Sequence, residues 1–204
     1  GDVPPSAEAR RRFLSLLEHP GRLGLCLREM HEIGMLEKFI PAMGEARGLL
    51  QFNQYHKYTV DEHCLRAVEF AAALATSETH HVEGETSIGE NPRRLPAIVY
   101  REIRRKWLLH LALLIHDLGK GRARDHVEEG IEIAEETARS FGLARHDAEM
   151  LKRLVKMHQE MNRMALHRDT GDATLAVELA SLVGSPETLK MLYVLSAADL
   201  AAVG

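Results

Sequence analysis

Cysteine is nearly absent. Cys26 and Cys64 are the two in 204 residues, and neither belongs to a Cys-x-x-Cys pair. That excludes a disulfide framework and makes a reducing, cytoplasmic setting the expectation. Long apolar runs are missing too: the longest, around Leu108 to Ile115, falls far short of the roughly 20 residues a membrane helix needs. The opening residues do not read as a charged-then-apolar leader. Neither sign of charge dominates, since 26 basic residues face 30 acidic ones for a net charge of −4, which argues against a nucleic-acid partner. The local basic clusters, Arg10 to Arg12 and Arg101 to Lys106, are interleaved with apolar or acidic residues and read as solvated helix faces. Sustained period-two alternation is absent, as is any internal repeat.

What remains is helical and rich in histidine, with 12 of them. At 204 residues the chain is long enough for one domain with a substantial core. Ser6 caps a helix through Leu17 with Phe13, Leu16 and Leu17 inward, and Leu23, Cys26, Leu27, Met30 and Ile33 form a second stripe ended by Gly34. Residues 35–58, with Pro41, Gly44 and Gly48, read as short helices and loops. Thr59 caps a helix whose inward face is Leu65, Val68, Ala72 and Ala75, with Asp61 and Glu62 in its first turn. Residues 76–95 read as a polar surface loop. Pro96 then opens one long helix running to His116-Asp117. Asp125 caps the next, which carries Val127, Ile131, Ala134, Ala138 and Phe141 and stops at Gly142. A further helix from about Asp147 places Leu151, Leu154, Val155 and His158 on one face. Asp172 caps a shorter one closed by Gly184, and Ser185-Pro186 opens the last, with Leu189, Leu192, Ser196 and Asp199 as its stripe. The fold expected is all-α. The chain stops soon after Asp199, inside what reads as a helix, and is expected to be one compact domain cut from a longer protein.

The polar residues that break these apolar patterns carry the chemistry. The run from Leu108 to Ile115 is apolar on nearly all sides, so it is buried, and it ends in His116 and Asp117 followed by Gly119 and Lys120. Two good ligands at the end of a core helix are costly to leave unpaired. His158 and Asp199 follow apolar residues at helical spacing and project inward. His126 stands in the first turn of its helix beside the Gly119-Lys120-Gly121 turn, and His63 lies at the edge of a buried face. A lone inward histidine is more often a hydrogen-bonded core residue than a ligand, but carboxylates such as Asp199 are almost never buried without a partner. His63, His116, Asp117, His126, His158 and Asp199 together form a nitrogen-and-oxygen donor set suited to Zn, Fe, Mn, Ni or Co, in which one aspartate can join two ions. His110 reads as a core polar residue. His19, His31, His80, His81, His146 and His167 read as surface or loop residues, and His56 is left unassigned.

His63, His116-Asp117 and Asp199, in that order, resemble the HD-domain metal-dependent phosphohydrolases, an all-helical fold. The His116-Asp117-Leu118-Gly119-Lys120-Gly121 run followed by Asp125-His126 and His158 is similar to members with two divalent ions (Mn, Fe, Zn, Ni, Co or Mg). The resemblance implies a helical bundle with a first ion on His63, His116, Asp117 and Asp199. It implies a second on His126 and His158, bridged by Asp117. A narrower resemblance is carried by Tyr55-His56-Lys57-Tyr58-Thr59-Val60-Asp61-Glu62-His63. It is supported by Leu27 to Gly34, Phe39-Ile40-Pro41 and His167-Arg168-Asp169. These look like the hydrolytic part of the bacterial bifunctional PII uridylyltransferase/uridylyl-removing family. The boundaries implied are a helical lead-in over residues 1–58 and an HD domain over 59–204. The nucleotidyltransferase and ligand-sensing ACT domains of that family have no counterpart in these residues and are expected, if anywhere, in the parent chain.

The function implied is metal-assisted hydrolysis of a phosphoester or phosphodiester. Asp117 would serve the chemistry directly, Lys120 would neutralise charge on the phosphate, and Arg168 is a further phosphate contact. The substrate implied is a uridylylated PII-type signalling protein. An HD-type nucleotide or alarmone phosphohydrolase is the competing enzyme reading, and a non-catalytic regulatory module holding a structural metal is the third.

Overall fold

The computed structural model describes residues 3–50, 57–77, 94–122, 125–167 and 173–203. Among them the regular structure is helical: α1 (Ala7–Glu18), α2 (Leu23–Glu32), α3 (Leu36–Phe39), α4 (Pro41–Glu45), α5 (Val60–Ala73), α6 (Arg94–Glu102), α7 (Lys106–Ile115), α8 (His126–Phe141), α9 (Arg145–His167), α10 (Ala173–Val183) and α11 (Pro186–Ala201). An antiparallel bridge joins Leu50 to Thr59. The fold is all-α, as the residue pattern predicts. No helix among the described residues is long and apolar enough to cross a membrane.

The core is built around α7. Every residue from Leu108 to Ile115 is buried, because α1, α5, α9 and α11 all pack on this helix. Each of its five enclosed leucines is worth about 1.5–3 kcal/mol relative to solvent. The one polar side chain in the run, His110, is satisfied: Nδ1 lies 2.6 Å from the Leu17 carbonyl and Nε2 3.1 Å from the Tyr100 hydroxyl. The lead-in is tied to this core, with α1 on α7 and α2 on α5.

Local signals set several of the helix ends. Ser6 accepts from the Ala9 amide, Asp125 from those of Val127 and Glu128, and Ser185 from that of Thr188. Gly142 closes α8 in the left-handed region at φ 63°, where only glycine sits without cost. Thr59 occupies the cap position of α5, but its side chain accepts no capping bond.

Three expectations need correction. The long helix from Pro96 is two, α6 and α7, beginning two residues earlier at Arg94. The break is held from a distance: Glu187 Oε1 accepts from the amides of Arg104 and Arg105, at 2.8 and 3.4 Å, and Glu18 accepts from that of Trp107 at 3.0 Å. These carboxylates satisfy the amides that a new helix leaves open. Second, Ile33 and Leu189, expected inward, are 71% and 38% exposed, since each lies at the end of its stripe. Third, His31 is no surface residue. Its Nε2 lies 2.9 Å from Asp61 Oδ2, and Asp61 Oδ1 also accepts from the Gly48 amide. Burial pushes the Asp61 carboxyl up, but bonds from Thr59, His31 and the backbone of Glu62 and Gly48 bring it below its ordinary value.

His110 makes the fold sensitive to acid. Burial, partly offset by its bond to Leu17, lowers its pKa from 6.5 to about 4. Between those values the unfolded chain binds more protons than the folded one, so stability rises with pH through this window. The contribution is fully present above pH 6.5 and lost as pH falls towards 4. At about 1.4 kcal/mol per pH unit it amounts to roughly 3 kcal/mol. Denaturant melts from pH 7 to 4 are expected to show a shallower pH slope for His110→Gln than for the parent chain. Superimposable slopes would refute this.

Candidate metal centre

The apolar run of α7 delivers its last residues to one interior point. His116 is the C-cap of α7, and Asp117 begins the 3-10 turn Leu118–Gly121. From α5 comes His63, from α9 His158 and from α11 Asp199, so four helices and one turn meet there. His63, His116, Asp117 and His158 are nearly fully buried.

Four donors converge. Nε2 of His63 lies 3.2 Å from Nε2 of His116, 3.0 Å from Oδ1 of Asp199 and 3.5 Å from Oδ2 of Asp117. Nε2 of His116 is 3.8 Å from Asp117 Oδ2 and 3.5 Å from Asp199 Oδ1. The ligand atoms of these four residues all lie within 4.8 Å of one another, an arrangement that could hold a metal ion.

The tautomers are set by backbone carbonyls. Nδ1 of His116 is 2.8 Å from the Leu113 carbonyl, and Nδ1 of His158 is 2.6 Å from that of Val155. A carbonyl only accepts, so both rings carry a proton on Nδ1, and in the neutral form that a metal ligand requires the lone pair sits on the inward Nε2. Nε2 of His158 lies 3.4 Å from Asp117 Oδ1, yet neither buried atom has a hydrogen-bond partner. Such orphans are rare in native interiors, and a cation supplies what both lack. With imidazoles and carboxylates as donors, the set fits a divalent ion of the Mn, Fe, Zn, Ni and Co group.

The carboxylates facing His116 Nε2 favour positive charge at that atom, whether carried by a proton or by a bound cation. Burial opposes a charge on His116, but Asp117, Cys64 and Asp199 beside it hold its pKa well above the ordinary value. Burial likewise opposes ionisation of Asp117, but His116, His158 and Lys120 hold its carboxyl well below the usual range. Asp199 is lowered in the same way by His116 and His63 against its own burial. The site is a pair of carboxylates kept ionised by positive neighbours.

Of the other residues expected here, Lys120 reaches the centre, its Nζ 2.6 Å from Asp117 Oδ2. His126 does not join the four-residue cluster. Its ring is half-buried at the start of α8, with Nε2 3.4 Å from Oε1 of Gln159. Arg168 lies outside the described residues, as do His56, His80 and His81. His19 and His146 are exposed as expected. Two neighbours were not singled out as site residues. Cys64 forms part of the wall, with Sγ 4.0 Å from His116 Nδ1, and its place directly after His63 is the signal that could have found it. Gln159 gave none beyond its position after His158.

The HD domain family model matches residues 60–199, a span that runs from the first turn of α5 to Asp199. This chain belongs to the HD-domain family. The family is generally one of metal-dependent hydrolases, and the HD pair itself is His116-Asp117. Within the matched span His63, His116, Asp117 and Asp199 form the cluster that could hold a metal ion.

Proposed function

We propose that the protein is a metal-dependent phosphohydrolase that cleaves a phosphodiester, with a uridylylated tyrosine on a small PII-type signalling protein as its substrate. The observation that carries the hydrolytic reading is the convergence of His63, His116, Asp117 and Asp199. The substrate rests on the resemblance of Tyr58-Thr59-Val60-Asp61-Glu62-His63 to the uridylyl-removing family.

The ion's contribution in such a site is Lewis-acid charge on the phosphoryl group and activation of water for attack at phosphorus. Everything else falls to the chain. His63, His116, Asp117 and Asp199 would hold the first ion. Asp117 and His158, whose facing Oδ1 and Nε2 atoms have no hydrogen-bond partner, would hold a second together with His126, adding a further positive charge beside the phosphate. Lys120 neutralises negative charge that builds on the phosphate during attack. Burial of the donors excludes bulk water and strengthens each of these contacts. Water adds to phosphorus, the bond from phosphorus to the tyrosyl oxygen breaks, and the phenol leaves with a proton. The products are free protein and UMP.

The test uses the chain charged with Mn²⁺, offered tyrosine-uridylylated PII protein, a small aryl phosphodiester, and a panel of free nucleotides including a bis-phosphorylated guanosine. Release of UMP from the protein with poor turnover of free nucleotides is expected. Preferential hydrolysis of the nucleotides would transfer the site to the competing phosphohydrolase class, and no turnover of any ester would leave the metal structural. Metal content at saturating Mn²⁺ is expected at two equivalents, falling to one in His158→Ala. One equivalent in both would remove the second ion.

A further inference from the structure

Lys120 forms the shortest charged contact in the centre, and it is made to a ligand. Its Nζ sits 2.6 Å from Asp117 Oδ2, with the lysine side chain 13% exposed and the aspartate 4%. That oxygen is also the one turned towards His63 Nε2, at 3.5 Å, and His116 Nε2, at 3.8 Å. Lys120 Nζ and a cation held by the four converging donors therefore address the same carboxylate oxygen. The other oxygen of Asp117 faces His158 instead. An ammonium and a divalent ion on one oxygen repel each other strongly in so buried a place.

We infer that Lys120 is the built-in competitor of the first cation: the metal must displace its ammonium from Asp117, and the displacement releases Lys120 towards the substrate phosphate. The inference rests on the reading of this cluster as a metal site and concerns how that site is loaded. Two properties of the lysine make the exchange workable. It lies three residues from Asp117 on the Leu118–Gly121 turn, with its amide bonded to the Asp117 carbonyl at 3.0 Å, so its backbone stays fixed while the side chain moves. Its flexible four-carbon stem lets the ammonium leave Asp117 without leaving the site. Phosphate affinity is then conditional on metal, since the cation that would hold phosphate is otherwise spent on Asp117. Lys120 also holds the Asp117 charge whenever no ion does, which protects the fold against a bare carboxylate in the core.

The role predicts effects of opposite sign on two measurements. With chelator-stripped protein and Mn²⁺ followed by competition with a metal-sensitive dye, Lys120→Gln is expected to bind the first equivalent about tenfold more tightly than the parent chain. Lys120→Arg keeps the positive charge and is expected to stay near the parent. Stripped Lys120→Gln is expected to melt at a lower temperature than the stripped parent, and saturating Mn²⁺ to raise its melting temperature by more. Unchanged or weaker Mn²⁺ binding by Lys120→Gln, with the parent binding normally, would overturn the competition. If neither protein bound Mn²⁺ at all, the metal-site reading would fail instead, so the two failures are distinguishable.

Discussion

Asp117→Asn is expected to reduce kcat/KM of the Mn²⁺-charged protein towards an aryl phosphodiester by about 10³-fold or more, and to leave it with less than one equivalent of bound metal. Asparagine has nearly the same shape, so the change isolates charge. The Asp117 carboxylate addresses three imidazoles and an ammonium at once, with His63, His116 and Lys120 on Oδ2 and His158 on Oδ1. A neutral amide there removes the counter-charge that makes a dication tolerable in a buried site. A loss of about 4 kcal/mol of transition-state stabilisation corresponds to that factor, at about 1.4 kcal/mol for each power of ten. The fold should survive, because Lys120 is 13% exposed at its side chain and can turn to water. His116→Ala is expected to behave in the same way, whereas His146→Ala, at an exposed position on α9, should change nothing. Retention of even a tenth of the parent activity by Asp117→Asn would refute the metal-dependent mechanism.

Gly119→Ala should be the most damaging single methyl that can be added to the chain near the site. A Cβ on Gly119 would lie 2.2 Å from the His126 carbonyl oxygen and 2.7 Å from the Gly130 amide nitrogen. Both are backbone atoms in the first turns of α8, so nothing nearby can rotate out of the way. The turn carrying Lys120 would have to separate from α8, at a cost of about 3 kcal/mol or more. For a chain of this length that lowers the melting temperature by roughly 6–12 °C. Gly130→Ala is the control. Its added Cβ meets a side-chain methyl, Val155 Cγ1 at 3.1 Å, which can shift by a few tenths of an ångström, so a clearly smaller loss is expected. Equal melting temperatures for the two variants would show that the turn is not packed as described.

What could be read from the residues, and what could not, divides along the distance between partners. The caps at Ser6, Asp125 and Ser185 act on amides two or three residues away, and all three were legible. The inward phase of His158 and Asp199 was legible because helical spacing from Leu151, Val155, Leu192 and Ser196 fixes direction without knowledge of any neighbour. The break between α6 and α7 was hidden, since its cap is Glu187, more than 80 residues downstream. His31 was misread for the same reason: its partner Asp61 belongs to another helix. His126 shows the limit in the site itself. Its place at the start of α8 was legible, but the turn of its ring to Gln159 depends on how α8 packs against α9.

The order of the ligands along the chain has a consequence for synthesis. His63 is the first of the converging four to be made and Asp199 the last, 136 positions later. Domains begin to fold from the N-terminus as translation proceeds, at roughly 5–20 residues per second. A nascent chain that has exposed α7 but not yet α11 presents three of the four donors, with Lys120 beside Asp117 and no carboxylate from residue 199. If the four hold an ion as proposed, its stable capture would be reserved for chains whose last ligand helix has been delivered, and metal retention would record that α11 has docked.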